Sequence, residues 1–324
     1  MTPGASNGWT GGQYSAVRAL LGLVLLASAL NAVRAGLAAS APLTLAAGLA
    51  AMPFTVLLVV GWHDRLAALV LVIPFLAGLV AGDRGGPPAW GPAPALLVGQ
   101  AAPLAALGIH LTLPPAPFGS VAARGRPDPD GGWQMPGWVP WAARALAGTA
   151  IIYAAIAAAS GAAPIPWASL PGVVPLLALA ADPGWIPPAG GGTAILFYDG
   201  TCGLCHRAVR FVLAEDRQGS IRFAPLGSPA FRRSVPEHAR PALPDSLVVW
   251  SAGGTIRVRS EAVLYLADRL GGWWRALAVL GRLIPRPARD ALYDGIARVR
   301  KRLFAAPAGE CPVGAPHLGP RFLG

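Results

Sequence analysis

Residues 194 to 206 read Ala-Ile-Leu-Phe-Tyr-Asp-Gly-Thr-Cys-Gly-Leu-Cys-His, and the fold of the C-terminal half turns on them. Ala194 to Tyr198 is an unbroken apolar run of strand length. Asp199-Gly200-Thr201 carries turn chemistry. From Cys202 to Arg217 apolar residues recur at Leu204, Ala208, Val209, Phe211, Val212 and Leu213 with a helical period. A strand therefore hands over to a helix at Cys202. Downstream, Ile221 to Ala224 reads as a second strand, and Pro225 to Pro241 as a basic, proline-punctuated connection. Leu247–Trp250 and Thr255–Arg259 read as a hairpin around Ser251-Ala252-Gly253-Gly254, where glycine tolerates positive φ. Ser260 reads as the cap of a helix that Gly271 and Gly272 end. Two more helices, about 273–284 and 287–303, are split at Pro285, and the last twenty residues read as a loose tail.

The order strand, helix, strand, connection, strand, strand, helix fits the minimal thioredoxin arrangement, with the first two strands parallel and the last two a hairpin. The other half is a different material. The whole chain of 324 residues is 54% hydrophobic and only 13% charged, which excludes a single water-soluble globule. Up to residue 193 there are seven arginines and five acidic residues; after it there are nineteen basic and ten acidic residues. Apolar runs at about 16–33, 42–62, 66–82, 92–113, 138–159 and 167–181 each approach the ~20 residues that cross a ~30 Å hydrocarbon layer. The expected fold class is thus an N-terminal all-α transmembrane bundle over 1–182, a linker over 183–193, a C-terminal α/β thioredoxin-like domain over 194–304 and a loose tail over 305–324. With six spans, Arg65, Arg124, Arg126 and Arg144 share a side with the C-terminal domain, against Arg34 and Arg84 opposite. That bias points the domain into the cytoplasm. Asn31, Gln100, His110 and Tyr153 are polar residues at membrane depth, read as pairing between helices or lying near span ends.

All three cysteines, Cys202, Cys205 and Cys311, fall in the second half, which excludes a secreted disulfide framework and leaves the spans without thiols to relay electrons. Cys202 falls at the expected start of a helix, where unsatisfied backbone N–H groups and the helix dipole stabilise a thiolate. Two intervening residues bring Cys205 within disulfide reach. Cys202 is expected to be the exposed nucleophile and Cys205 the shielded resolving thiol. Asp199 could cap the helix or take a proton from Cys205; His206 could supply positive charge or face solvent. The alternative is a membrane-bound c-type haem or metal-binding module, because Cys202 to His206 also spells C-x-x-C-H. Arg298, Arg300, Lys301 and Arg302 form a basic face without a basic-aromatic motif, so membrane lipid rather than nucleic acid is its expected partner.

The string Phe197-Tyr198-Asp199-Gly200-Thr201-Cys202-Gly203-Leu204-Cys205-His206, followed by Arg210-Phe211-Val212, resembles the DCC family of thiol-disulfide oxidoreductases, named for a D-x-x-C-x-x-C signature. The resemblance continues through Ile221–Leu226, Asp245–Val249, Arg259–Ala262, Leu283-Ile284-Pro285 and Tyr293–Arg298. It implies a thioredoxin fold, Cys202 and Cys205 as the redox pair, Asp199 as the signature aspartate and Cys311 as the late third cysteine. No cofactor is implied beyond the redox-active pair. Pro244 is the nearest candidate for the cis-proline of thioredoxins. The first half is similar in style to DoxX-like multi-span domains. A bacterial-type inner-membrane protein acting on a thiol or disulfide substrate, with an unidentified electron donor, is the expectation that results.

Overall fold

The computed structural model describes residues 7–82, 100–159, 172–244, 246–303 and 316–323. The chain divides into two compact units. One comprises Met1–Asn7, Gln13–Arg124 and Trp133–Asp182; the other comprises Gly8–Gly12, Gly125–Gly132 and Pro183–Gly324. Two stretches from the apolar half, and the residues expected to form a linker, therefore belong to the C-terminal unit.

The first unit is helical. Helices α1 (Gly11–Ala38), α2 (Pro42–Val60) and α5 (Trp138–Ala159) are long and apolar enough to cross a bilayer. Between them lie α3 (Asp64–Gly82), which opens on Asp64 and Arg65, and α4 (Ala102–Thr112); α6 (Val174–Ala180) follows. Six spans were expected. The fourth and sixth runs fall partly on 83–99 and 160–171, outside the described residues. At 1.5 Å per residue the seven-residue α6 is only about 10 Å long, too short to cross by itself.

Large apolar side chains point outward here, among them Leu43, Ile73, Trp141 and Ile156. This inverts the soluble pattern, as helices that faced lipid would. The polar residues turn inward: Tyr14 OH meets His110 Nδ1 at 2.5 Å, Arg18 Nη1 donates to the Leu58 carbonyl, and Asp64 Oδ2 lies 3.9 Å from both Arg18 Nε and His110 Nε2. The expected pairing of His110 between helices is thus seen. Arg18 and Asp64, which share its cluster, sit where the apolar pattern gave no hint of a partner.

The C-terminal unit holds a four-stranded mixed sheet of order β2-β1-β3-β4, with β1 (Ala194–Tyr198), β2 (Ile221–Pro225), β3 (Val248–Ser251) and β4 (Ile256–Val258). β1 runs parallel to β2, with Leu196 opposite Phe223, and antiparallel to β3, with Leu196 opposite Val249; β3 and β4 are antiparallel. The parallel pair is joined by α7 (Gly203–Glu215), as a parallel connection requires. β1 is buried at all five positions because it is central and covered on both faces. With the two-residue period of a strand, Ala194, Leu196 and Tyr198 face a core shared with α7 and α9 (Arg259–Leu270). Ile195 and Phe197 face a second core built with α8 (Pro229–Ser234) through Phe231 and Val235. The β3–β4 turn closes through Gly254, whose φ of +78° favours glycine. α10 (Gly272–Arg282) and α11 (Arg286–Leu303) complete the unit, separated at Pro285 as expected.

Two expectations are corrected. Ser260 lies inside α9, whose N-cap is Val258, and its hydroxyl and backbone N–H are spent on Asp290 Oδ1 of α11. Residues 316–323 of the tail are not loose, while 305–315 lie outside the described residues. Phe322 bridges to Phe223 in parallel, their rings stack at 5.3 Å, and Leu323 N–H donates to the Phe223 carbonyl at 2.8 Å. The tail thereby covers the free edge of β2, and Arg321 fixes it through Asp216 Oδ2 at 2.6 Å and the Ile221 carbonyl. Asp216 is buried at the end of α7, so Arg321→Ala strands a carboxylate out of water. The expected loss is about 3 kcal/mol, read as a lower urea midpoint of the C-terminal unit in the full chain. An unchanged midpoint would show that the tail contributes nothing.

Candidate active site at the start of helix α7

The chain leaves the sheet at Tyr198 and turns at once. Asp199 Oδ1 accepts from the Thr201 backbone N–H at 2.8 Å and from the Thr201 hydroxyl at 2.7 Å, and the Cys202 N–H donates to the Asp199 carbonyl at 3.2 Å. In these bonds the signature aspartate shapes the turn. Cys202 is the N-cap of α7, extended at φ −100° and ψ 115°, and its side chain makes no capping bond. The Cys202 carbonyl accepts the first helical bond, from His206 N–H at 3.1 Å. Cys205 follows in the first turn, so both cysteines stand among the backbone N–H groups that a helix start leaves without intrahelical acceptors.

Both cysteines are thiols, and both are buried: Cys202 is 2% exposed and Cys205 3%. The expectation of an exposed Cys202 beside a shielded Cys205 is corrected. The cause is the packing of β1, α7 and α9, which closes one apolar core over the start of the helix and includes both cysteines with Leu196, Tyr198 and Val209. His206 does not face solvent. It is 6% exposed, its Nε2–H donates to the Gly200 carbonyl at 2.8 Å, and its ring meets the edge of Tyr198 at 5.9 Å. The imidazole thus ties the turn before the cysteines to the helix after them. His206→Ala removes a bond worth about 1 kcal/mol and should speed alkylation of Cys202 roughly fivefold; an unchanged rate would mean that the tie does not control access.

The remaining expected residues do not gather here. No described peptide bond is cis, so Pro244 is not the cis-proline that the resemblance implies; its carbonyl accepts from Ser246 N–H at 2.8 Å in a turn ahead of β3. Cys311 lies outside the described residues. Among the described residues no three His, Cys, Asp or Glu side chains gather as a metal site. Beside the pair, an apolar groove of about 240 Å³ is lined by Leu204, Cys205, Leu247, Val263, Tyr293 and Ile296. The Tyr293 hydroxyl accepts from Leu247 N–H at 3.0 Å and so holds α11 to the entry of β3.

Sequence reasoning missed the other end of α7. Glu215 is fully buried; its carboxylate accepts from the Thr10 hydroxyl, from Gly12 N–H at 2.9 Å and from Trp274 Nε1–H at 2.6 Å. Burial pushes this carboxyl up, against the pull of those donors. Asp130 is likewise pushed up to about 6, by burial and then by Asp128, with Arg217 opposing. A signal for Glu215 did exist: an acid in the last turn of a helix opposes the helix dipole, and such a residue needs a compensating partner.

Comparison with known proteins adds to this geometry. The family model for DCC1-like thiol-disulfide oxidoreductases matches residues 196–306. The uncharacterized protein YuxK of Bacillus subtilis is 33% identical over 129 residues, which cover 40% of this chain and 93% of YuxK. A chloroplastic DCC family protein of Arabidopsis thaliana is 34% identical over 110 residues, covering 34% of this chain and 64% of that protein. No solved structure matches the chain. By class, then, the protein is an oxidoreductase. The chain belongs to the DCC1-like thiol-disulfide oxidoreductase family.

Proposed function

We propose that the protein is a membrane-anchored thiol-disulfide oxidoreductase in which Cys202 and Cys205 cycle between dithiol and disulfide. The observation that carries the reading is the pair's position at one helix start, with Cys202 as N-cap and Cys205 in the first turn. The Cys202 thiolate attacks a substrate disulfide, forming a mixed disulfide and expelling one substrate thiolate. Cys205 then attacks Cys202, releasing the second substrate thiol and leaving the intramolecular disulfide. Two electrons pass to the substrate, and a thiol donor returns them by the reverse exchange. Because both cysteines are buried, turnover needs a local movement that admits substrate, at the Asp199–Cys202 turn or along the groove that Cys205 lines.

A thioredoxin-like assignment of the C-terminal unit is supported by the parallel β1-α7-β2 connection followed by the antiparallel β3–β4 hairpin. Anchoring is supported by three helices of membrane length. A cytoplasmic C-terminal unit follows from six spans, with the whole 167–181 run and not α6 alone completing the sixth, and from Arg65, Arg124, Arg126 and Arg144 on its side against Arg34 and Arg84. In that compartment the dithiol form dominates and the reaction runs as reduction.

Thiol trapping tests both statements. In membranes holding the full chain, equilibration across glutathione redox buffers should interconvert two alkylatable thiols and none at Cys202 and Cys205 in a single two-electron step. On intact cells, a membrane-impermeant maleimide should label neither cysteine until the membrane is opened. Independence of the two thiols from the buffer would refute the redox reading. Labelling of intact cells, while a cytosolic marker thiol stays unlabelled, would reverse the orientation.

A further inference from the structure

Helices α10 and α11 carry apolar residues on the outside. Leu277, Leu280, Leu283 and Ile284 recur along α10 and its end, and Leu292, Ile296 and Val299 recur along α11 at spacings of four and three; all are exposed. A helical period predicts a face buried against something, and these two faces have no cover among the described residues. The tip is the extreme case: Leu283, in the Leu-Ile-Pro link, is 78% exposed.

Charge identifies what fits. Between residues 272 and 303 there are eight basic and two acidic residues. Arg282 and Arg286 flank the Leu283-Ile284-Pro285 tip, and Arg298 stands exposed beside Val299. Arg282 is held by Asp268 through two guanidinium nitrogens, and Arg286 reaches Asp290 at 3.4 Å while its side chain stays 65% exposed. The occupant has to take up an apolar tip and meet a strong excess of cations along the same face with negative charge, and an anionic membrane surface combines the two: apolar side chains enter the boundary between headgroups and acyl chains, while arginines lie along it and meet phosphates.

We propose that the α10–α11 hairpin docks on an anionic lipid surface, with Leu283 and Ile284 as the inserted tip and Arg282, Arg286 and Arg298 as its phosphate contacts. The inference rests on the membrane-anchored reading and is independent of the thiol chemistry. Docking holds the apolar groove beside Cys205, which Ile296 and Tyr293 of α11 line, at a fixed height above the bilayer. Substrates presented at the membrane surface would then meet the pair without the domain having to search for them.

The test uses the unaltered full chain in phosphatidylcholine vesicles, with or without phosphatidylglycerol, that contain a photoactivatable lipid; adducts are mapped by mass spectrometry. Adducts on residues 280–296 are expected when phosphatidylglycerol is present. They should fall about fivefold in Arg286→Gln, since each cation near an anionic surface contributes about 1 kcal/mol, and should vanish in Leu283→Glu. Helix α2 is the internal control. Adducts on α2 without any on 280–296 would overturn the docking and leave the anchoring intact; adducts on neither would overturn both. Cross-links between two copies at 280–296, in place of lipid adducts, would show that a second chain covers this face and would also overturn the proposal.

Discussion

Replacing Cys202 with serine is expected to lower reduction of a model disulfide by at least about a thousandfold, while replacing Cys205 with serine leaves the first attack intact and traps the substrate on the protein. The asymmetry follows from the exchange chemistry. A serine hydroxyl does not attack sulfur at neutral pH, so without Cys202 no covalent intermediate forms. Without Cys205 the intermediate forms and has no internal thiol to resolve it. Non-reducing electrophoresis with mass spectrometry separates the two outcomes, because only Cys205→Ser should carry substrate. Adducts on Cys205 in the Cys202→Ser chain, at the parent's rate, would exchange the two roles. Since the groove beside the pair includes Cys205 in its lining, that outcome has a structural basis and makes the comparison of both variants necessary.

Glu215→Ala is expected to destabilise the C-terminal unit by about 3 kcal/mol, as three donors, the buried Thr10 hydroxyl and the half-buried Gly12 N–H and Trp274 Nε1–H, lose their acceptor together. Unfolding in urea, followed by tryptophan fluorescence of the full chain, measures the loss. The same carboxylate gives a pH dependence with a definite sign. Burial holds its folded value above the ordinary glutamate value of about 4.3, so the folded unit binds the proton more tightly than the unfolded chain. Stability from this group is greatest below the ordinary value, declines as pH rises through the window up to the raised value, and is flat above it. Asp130, raised to about 6, acts in the same direction. Glu215→Gln should remove Glu215's share of the slope; a slope unchanged in that variant would assign the dependence to other groups.

What was legible in the sequence was local. The handover from Tyr198 through Asp199 to Cys202 is written in adjacent residues: an apolar run, a turn and a periodic stripe. The strand order follows from the short elements after it. What was not legible depends on partners far along the chain. Phe322 and Arg321 sit in a glycine- and proline-rich tail with no pattern of its own, and they find Phe223 and Asp216 about a hundred residues away. Exposure of Cys202 was misread because a helix start suggests an open thiol, whereas the closing of the core by α9 could not be read from spacing. His206 has a role that only the turn's geometry fixes, since its acceptor is the Gly200 carbonyl. In the apolar half, run length was readable, but pairing of Arg18, Asp64 and His110 required knowing which helices are neighbours.

Residues 8–12 and 125–132 belong to the C-terminal unit, and this bears on its modularity. The match to YuxK takes in 93% of that protein but 40% of this chain, so most of this chain has no counterpart there. Contacts inside the C-terminal unit tie these stretches in: Trp9 packs edge-on against Trp273 at 5.0 Å, Thr10 and Gly12 serve Glu215, and the Arg126 carbonyl accepts from Arg210 Nη2 at 2.6 Å. Excision at residue 183 would therefore not return a free-standing relative. It would expose a cut surface with a buried carboxylate stripped of two of its three donors, and any truncated form prepared for biochemistry should carry the two short stretches grafted back or be studied whole.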